Sequence, residues 1–271
     1  KAFEMEDIFS LPYANEVQIS PNGDQIVYRK MGYDVMSDKS TGSLWILNKD
    51  GSNHRKLTVN DQSESSPRWS PSGDRIAFVS QGKNGSEIFI YWVKTASMAR
   101  MTQLPQSPSS LTWSRDGSQL AFSMFVPSSP PVIANIPKSP KGAKWAKKPR
   151  ITDRLNHESD GRGYIPTGFS HLFVMPANGG AVRQLSSGDF QHRGSLSWST
   201  DNKSIYFSAN RNPDWEYDFR NSELYEITLD KGEITPLTDR DGPDYAPAVS
   251  PDGKMFAFMG FDDRREAYQN R

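Results

Sequence analysis

The sequence predicts an all-β fold, a β-propeller of four-stranded blades, and three observations lead to this prediction. A serine-containing turn recurs five times, an apolar hairpin follows each of the first four copies, and most copies are separated by about the length of a propeller blade. Units of roughly 40–50 residues with four strands each are typical of propellers. A β-sandwich with similar turns is the alternative fold.

The recurring turn has the pattern Trp-Ser-Pro-Asp-Gly or a variant of it, and each copy predicts a β-hairpin. Serine, proline and glycine suit the first, second and fourth positions of a type I turn. A β-prone run such as Ile76–Phe78 then follows. Asn202 replaces glycine in the fourth copy, and asparagine tolerates left-handed backbone. The turn serines are Ser20, Ser70, Ser114, Ser199 and Ser250.

A second hairpin follows the turn in each complete unit, so each unit predicts four strands. This hairpin consists of an apolar run, a second turn and a strand that ends in Leu-Thr or a similar pair. The terminal pairs are Leu57-Thr58, Met101-Thr102, Leu185-Ser186 and Leu237-Thr238.

The domain organisation follows from these units. Residues 1–19 are predicted to be a lead-in segment with a helical turn at residues 5–9, and residues 20–271 are predicted to form the blades. The fifth unit holds its first hairpin, at residues 248–261, without the second. A propeller closes with roughly four to eight blades. We therefore expect about five visible units, the last incomplete, from a propeller of seven blades.

The interval between Ser114 and Ser199 holds one unit plus an insertion at about residues 127–170. Its prolines favour extended, non-helical backbone. Trp145 lies among its lysines, and such a combination can bind single-stranded nucleic acid. Because the rest of the chain balances this charge, we expect a solvated loop over a propeller face and no nucleic-acid partner.

Composition argues against several classes of partner and site. Lysine plus arginine and aspartate plus glutamate number 32 each, unlike a general binder of nucleic acid or anionic membranes. The longest apolar run, Ile88–Val93, is far shorter than the ~20 residues that span a bilayer. Cysteine is absent, which excludes disulfides, thiolate zinc sites and cysteine nucleophiles.

The sequence contains no recognisable catalytic or metal-binding motif. Gly-x-Ser-x-Gly, the pentapeptide of the hydrolase nucleophile elbow, is absent. His54, His157, His171 and His192 lie outside any triad context, and His157 lacks the His-Glu-x-x-His spacing of a zinc site. Residues 239–244 resemble a calcium loop but lack its distal glutamate. We therefore expect no catalytic residue, no metal and no cofactor in this chain.

The units resemble the propeller repeats of the prolyl oligopeptidase family of serine peptidases, most closely its acylaminoacyl-peptidase and dipeptidyl-peptidase-like branch. Residues 150–155, 160–164 and 171–174 carry the similarity, together with the opening at residues 5–21. The resemblance implies a C-terminal α/β-hydrolase domain, absent from this chain, with the catalytic serine, aspartate and histidine. It also implies that the rest of the propeller joins these blades and caps the active site, so that only short or N-acylated peptides reach it.

Four residues are candidates for this gating role. Asp160, Arg162 and Tyr164 lie in an insertion long enough to reach past its blade, and long loops are often functional. We expect them to shape the substrate entrance or the domain interface. Glu216 lies in an acidic segment, residues 214–218, similar to the one with which dipeptidyl peptidases bind a substrate's free amine. Here the segment follows the Trp-Ser turn instead of preceding it, so a solvated loop is the default interpretation.

Other functions remain open. A non-catalytic scaffold for protein partners would be similar to the Tol-system propeller of the bacterial periplasm, which shares the Ser-Pro-Asp-Gly units. A propeller enzyme acting in its own channel would need convergent acids or histidines, which the sequence does not identify. The start at Lys1 and the frequent export of this branch predict a bacterial periplasmic or secreted protein, with the cytoplasm as the alternative. An unclosed blade edge favours a homo-oligomer.

Overall fold

The computed structural model describes residues 3–58, 62–82, 85–129, 131–134, 137–146 and 150–262. In these residues, a short 3-10 helix at Met5–Ser10 precedes a succession of β-strands. The strands form four antiparallel four-stranded sheets, one two-stranded sheet and a small separate hairpin. The predicted all-β propeller of four-stranded blades is confirmed.

The first two blades are each continuous in sequence. Blade 1 contains β1 (Tyr13–Ile19), β2 (Gln25–Asp34), β3 (Lys39–Asn48) and β4 (Arg55–Lys56). Blade 2 contains β5 (Glu64–Trp69), β6 (Arg75–Gly82), β7 (Gly85–Trp92) and β8 (Ser97–Arg100). In both blades the strands pair in chain order.

Blade 3 is interrupted by the insertion. It contains β9 (Pro108–Trp113), β10 (Gln119–Pro127), β13 (Gly168–Pro176) and β14 (Arg183–Gln184), and the insertion carries the hairpin of β11 (Glu158–Ser159) and β12 (Gly163–Tyr164). Blade 4 contains β15 (Ser197–Trp198), β16 (Ser204–Ala209), β17 (Glu223–Thr228) and β18 (Ile234–Pro236). The last sheet contains β19 (Asp244–Val249) and β20 (Phe256–Gly260).

The first blade begins before the first turn serine. Residues 1–19, expected to be a lead-in, include β1, whose Ile19 pairs with Ile26 across the turn at Ser20. The serine motif joins the first and second strands of a blade, so the strand before it belongs to the same sheet. The predicted helical turn corresponds to the 3-10 helix, where the Glu4 backbone N–H donates to Asp7 Oδ2 at 3.0 Å.

Each recurring turn is closed by its serine hydroxyl. In blade 2, the backbone N–H of Arg75 donates to Ser70 Oγ at 3.0 Å, and Ser70 Oγ donates to Asp74 Oδ1 at 2.8 Å. The residue five positions after each of the other turn serines makes the same backbone bond. Asn202 has a φ of 60°, as its replacement of glycine predicts. The hydroxyl thus satisfies a backbone donor that the tight turn would leave unpaired.

The Leu-Thr pairs tie the end of a blade to the start of its third strand. In blade 2, Thr102 Oγ1 accepts the Ile88 backbone N–H at 2.9 Å and donates to Glu87 Oε2 at 2.6 Å. Thr238 and Glu223 repeat the pair in blade 4. These threonines and glutamates are buried or partly buried, and in each pair the threonine hydroxyl donates to the glutamate carboxylate.

Blades 1 and 3 vary this arrangement. In blade 1 the acid is supplied by the next blade, because Glu64 of β5 accepts the Leu44 backbone N–H at 3.0 Å and the Thr58 hydroxyl at 2.5 Å. In blade 3, His171 occupies the position of the acid, and its Nδ1 lies 3.4 Å from Ser186 Oγ. Blade 3 is therefore the one of the four in which a titratable base replaces a carboxylate.

The first strands lie on the inside of the propeller. β1 contacts β5, and β5 contacts β9, whereas the residues of β4, β8 and β14 are all exposed. Four of these inner strands carry a β-bulge, and each bulge contains a residue with left-handed backbone four positions before the turn serine. These residues are Glu16, Ser66, Ser110 and Ala246, with φ values of 51°, 54°, 56° and 54°.

The core consists of successive apolar layers between adjacent blades. Val27 of blade 1 clusters with Phe78 of blade 2, and further clusters join blade 2 to blade 3 and blade 3 to blade 4. A tryptophan of the turn motif also crosses between blades, because Trp113 Nε1 donates to the Arg68 carbonyl at 2.9 Å. A sandwich has one layer between two sheets, so the repeated layers distinguish the propeller from the alternative.

Within the described ranges, no helix has the length and apolar character needed to cross a membrane. The same residues contain no group of three or more histidine, cysteine, aspartate or glutamate side chains arranged to hold a metal ion.

Candidate functional site

The insertion leaves and re-enters blade 3 at a single point. Pro127, the last residue of β10, pairs with Gly168, the first residue of β13. Gly168 has a φ of +146°, and a Cβ atom there would lie 2.4 Å from the Val126 carbonyl oxygen. A glycine is therefore required where the insertion closes. The insertion projects from one end of the blade without disturbing the pairing of its strands.

The three predicted insertion residues lie on or beside the hairpin of β11 and β12. Asp160 and Arg162 are exposed in its turn, where the Arg162 backbone N–H donates to the Ser159 carbonyl at 3.1 Å. Tyr164 is 47% exposed on β12, and its ring lies against Arg150, whose guanidinium carbon is 3.7 Å from the ring centroid. Of the three, Tyr164 is the one that lines a cavity.

This cavity, the arginine pocket, has a volume of about 460 Å³. Arg150 and Arg154 both line it, together with His157 and Tyr164. Arg154 Cζ is 4.2 Å from the centroid of the Phe169 ring. Asp153 contributes the one carboxylate among its lining residues. The pocket is therefore positively charged, with both guanidinium groups resting on aromatic rings.

A second cavity, the acidic pocket, shares a wall with the first. It has a volume of about 440 Å³, and Asp153, Arg154 and Thr167 line both cavities. The acidic pocket is also lined by Asp189 and by the loop between β16 and β17, which contributes Pro213, Asp214, Trp215, Glu216 and Tyr217. Its carboxylates outnumber its single arginine, so the two adjacent cavities have opposite charge.

The predicted Glu216 thus lies in a cavity wall beside the insertion. It is half-buried, and its Oε1 atom is buried without a hydrogen-bond partner among the described residues. Trp215, next to Glu216, makes an edge-on contact with the Phe169 ring, and their centroids are 6.2 Å apart. Arg154 lies over this same ring. Two segments that the sequence singled out separately, the insertion and the acidic segment, are therefore brought together.

The sequence did not single out Arg150, Arg154, Phe169 or Asp189 as individual site residues. The missing information is spatial, because the loop of blade 4 meets the insertion of blade 3 only in the folded chain. A usable signal was present in Arg150, Asp153 and Arg154, which belong to the segment that carried the family resemblance.

A buried basic cluster lies between blades 3 and 4. The rings of His171 and His192 are 5.3 Å apart, and Arg211 donates to His192 Nε2 at 2.6 Å. Burial, and then the positive charge of Arg211, lowers the pKa of His192 to about 3. Burial also lowers the pKa of His171, while Asp189 opposes this shift. Both histidines are therefore neutral near pH 7, and His192 carries its proton on Nδ1.

The inner strands β1, β5 and β9 and the segment of residues 194–196 just before β15 line a third cavity of about 470 Å³. Arg68 is the one charged side chain in its wall, among residues such as Gln18, Ser110 and Thr112. Burial lowers the pKa of Arg68, and the carboxylate of Glu16 opposes this shift. None of the lining residues of this third cavity is a histidine, aspartate or glutamate.

Comparison with known proteins relates this fold to peptidases. The family model for the dipeptidyl peptidase IV N-terminal region matches residues 141–259. Dipeptidyl-peptidase 5 of Porphyromonas gingivalis is 26% identical over 279 residues, which cover 98% of this chain and 39% of the relative. The uncharacterized peptidase YuxL of Bacillus subtilis is 24% identical over 211 residues, which cover 78% of this chain and 31% of the relative. The chain thus spans between about a third and two fifths of the length of these relatives.

Solved structures of a peptidase and of a TolB protein have the same fold as this chain. The acylaminoacyl peptidase of Pyrococcus horikoshii superposes with a TM-score of 0.67 at 19% identity, over 96% of this chain and 39% of that one. TolB of Acinetobacter baumannii superposes with a TM-score of 0.53 at 13% identity, over 94% of this chain and 64% of that one. In sequence, Tol-Pal system protein TolB of Legionella pneumophila is 37% identical over 67 residues, 25% of this chain and 16% of the relative.

Proposed function

We propose that the chain is the non-catalytic propeller domain of a serine peptidase of the prolyl oligopeptidase family, and that this peptidase cleaves short or N-acylated peptides. In this proposal the propeller docks a C-terminal α/β-hydrolase domain and controls which substrates reach it. The sequence lacks the nucleophile elbow motif. The similar peptidases are more than twice as long as the matched region, which leaves room for such a domain.

The observation that best supports a gating role is the pair of cavities beside the insertion. The arginine pocket and the acidic pocket lie where a loop of blade 4 meets a long insertion of blade 3, and they share Asp153, Arg154 and Thr167. Convergent charged groups on long loops above a rigid scaffold are typical of substrate-binding surfaces. Asp160 and Arg162 are exposed beside them, where a docked domain or an entering peptide could contact them.

The first test is to read the gene beyond the codon for Arg271. We expect further blades, then Gly-x-Ser-x-Gly, aspartate and histidine in that order, and labelling of that serine by a fluorophosphonate. A reading frame that stops within a blade or two would contradict the proposal.

The gating role has a separate test in the protein from the complete reading frame. Alanine at Tyr164 or Glu216 is expected to change the ratio of kcat/KM for short and long peptides, because both side chains line the pockets. Hydrolysis of a small p-nitrophenyl ester should stay unchanged, since it depends on the hydrolase domain alone. Unaltered peptide preference, together with unaltered association of the two domains in the Asp160→Ala and Arg162→Ala variants, would refute the gating role.

A scaffold for protein partners is the second candidate, and the similarity to TolB propellers favours it. The matched Legionella segment is more alike in sequence than the peptidases are, although it is short. If the reading frame lacks a hydrolase domain, capture of a specific protein partner becomes the expected result. For either function we propose a periplasmic or secreted location, which fractionation of the source cells would test.

A further inference from the structure

The arginine pocket is prepared for an anion because its guanidinium groups are already oriented. Arg150 rests on the ring of Tyr164 at 3.7 Å, and Arg154 rests on the ring of Phe169 at 4.2 Å. Arg154 also donates to the Gly168 carbonyl at 3.2 Å. Stacking on an aromatic ring fixes the plane of a guanidinium, so less conformational entropy is lost when it binds a ligand.

The donors of these arginines are largely unused. With the described residues, Arg150 makes the ring contact and no hydrogen bond or ion pair, and Arg154 makes its bond to the Gly168 carbonyl. Each guanidinium carries five N–H donors. Asp153 offers the single negative charge in the wall, against two arginines. The pocket therefore has an excess of positive charge, and its two arginines carry donors without a partner among the described residues.

The neighbouring cavity has the complementary charge. Asp189, Asp214 and Glu216 line the acidic pocket, which adjoins the arginine pocket along Asp153 and Arg154. A short unblocked peptide carries an ammonium group at one end and a carboxylate at the other. Two adjoining pockets of opposite charge match that distribution, whereas a phosphate ion would engage the arginine pocket alone.

We propose that the arginine pocket binds the C-terminal carboxylate of a short peptide through the guanidinium groups of Arg150 and Arg154. The identity of the ligand as a peptide rests on the proposed function. A planar carboxylate accepts paired hydrogen bonds from a guanidinium, and such charge-assisted bonds are stronger than neutral ones. The propeller itself then selects short peptides with a free C-terminus, because a longer chain would place an uncharged peptide group at these arginines.

Calorimetric titration with two matched peptides tests this proposal without relying on catalysis. The probes are trialanine and its C-terminal amide, titrated into the protein from the complete reading frame. We expect trialanine to bind at least about tenfold more tightly than the amide, because the amide loses the charge-assisted bonds. Equal affinity for the two peptides, or binding of neither, would overturn the proposal.

Substitutions of the two arginines test whether the arginine pocket causes the preference for trialanine over its amide. Arg150→Gln should reduce the ratio of the two affinities to near one, and Arg154→Gln should do the same. Arg150 is exposed, so its variant tests the idea even if Arg154→Gln, which removes packing on Phe169, fails to fold. Arg100→Gln on the exposed strand β8 is the matched control and should keep the full preference.

Two further measurements separate the competing explanations. Inorganic phosphate should compete weakly with trialanine, and tight phosphate binding without any discrimination between the two peptides would overturn the proposal in favour of a phosphate site. Peptide hydrolysis is assayed separately. If the protein from the complete reading frame shows no peptidase activity, the proposed function is refuted. If it hydrolyses peptides but binds trialanine and its C-terminal amide equally, only the carboxylate site is refuted.

Discussion

His192 is expected to make the stability of the fold depend on pH below about 6.5. The side chain is fully buried, accepts a hydrogen bond from Arg211, and has a pKa lowered from 6.5 to about 3. Below pH 6.5 the unfolded chain binds a proton at this histidine and the folded chain does not. Stability is therefore lost as the pH falls from 6.5 towards 3, by about 1.4 kcal/mol for each pH unit.

The free energy of unfolding from this residue alone should fall by about 2 kcal/mol between pH 7 and pH 5. Urea unfolding, monitored by tryptophan fluorescence at several pH values, measures this free energy. Carboxylates also titrate in this range, but they contribute equally to the wild type and its variants. His192→Gln keeps an acceptor for Arg211 and cannot take up the proton, so its unfolding free energy should depend less on pH. His157→Gln, at an exposed histidine of the insertion, is the control and should follow the wild type. Parallel pH profiles for the wild type and His192→Gln would refute the reasoning.

Three substitutions test the contacts that hold the blades, each measured by urea unfolding. Thr102→Val should lower the unfolding free energy by about 2 kcal/mol, because buried Glu87 loses the hydroxyl donor at 2.6 Å; a change below half of that would contradict the role of the Leu-Thr pair. Trp113→Phe should cost about 1–2 kcal/mol through the lost bond to the neighbouring blade, and an unchanged midpoint would show that the bond contributes nothing. Gly168→Ala should cost about 1–3 kcal/mol, since its φ of +146° and the approach to Val126 leave no room for a Cβ; a neutral substitution would mean that the backbone can relax there.

The sequence predicted the repeating parts of the fold well, because each is specified by residues adjacent in the chain. Ser70, Pro71 and Gly73 determine a turn within a few residues, and the structure closes that turn with the serine hydroxyl. The Leu-Thr pairs were visible as a pattern, and their buried hydrogen bonds give the physical reason for it. The structure places the insertion between the end of β10 at Pro127 and the start of β13 at Gly168.

Contacts between blades could not be read in the same way. Glu64 of blade 2 accepts the hydrogen bonds that an acid of blade 1 would otherwise accept. This contact depends on how the two sheets pack, so the spacing of residues in the sequence does not reveal it. The lead-in of residues 1–19 likewise left out β1, whose last residue, Ile19, stands where Trp69, Trp113 and Trp198 end the inner strands of blades 2 to 4. The meeting of the Glu216 loop with the insertion is a contact of the same kind, since more than 40 residues of blades 3 and 4 separate them.

The bulges of the inner strands limit where the chain can change in length. Because side chains alternate between the faces of a strand, one residue added between Ser66 and Ser70 would turn every following side chain of that strand to the opposite face. Trp69 would then leave the layer between its blade and the next. Between Pro127 and Gly168, by contrast, the chain accommodates about 40 extra residues, because the two ends are already paired. Natural variation in length should therefore collect at this single gap in blade 3, while the four-residue spacing on the inner strands stays constant among relatives.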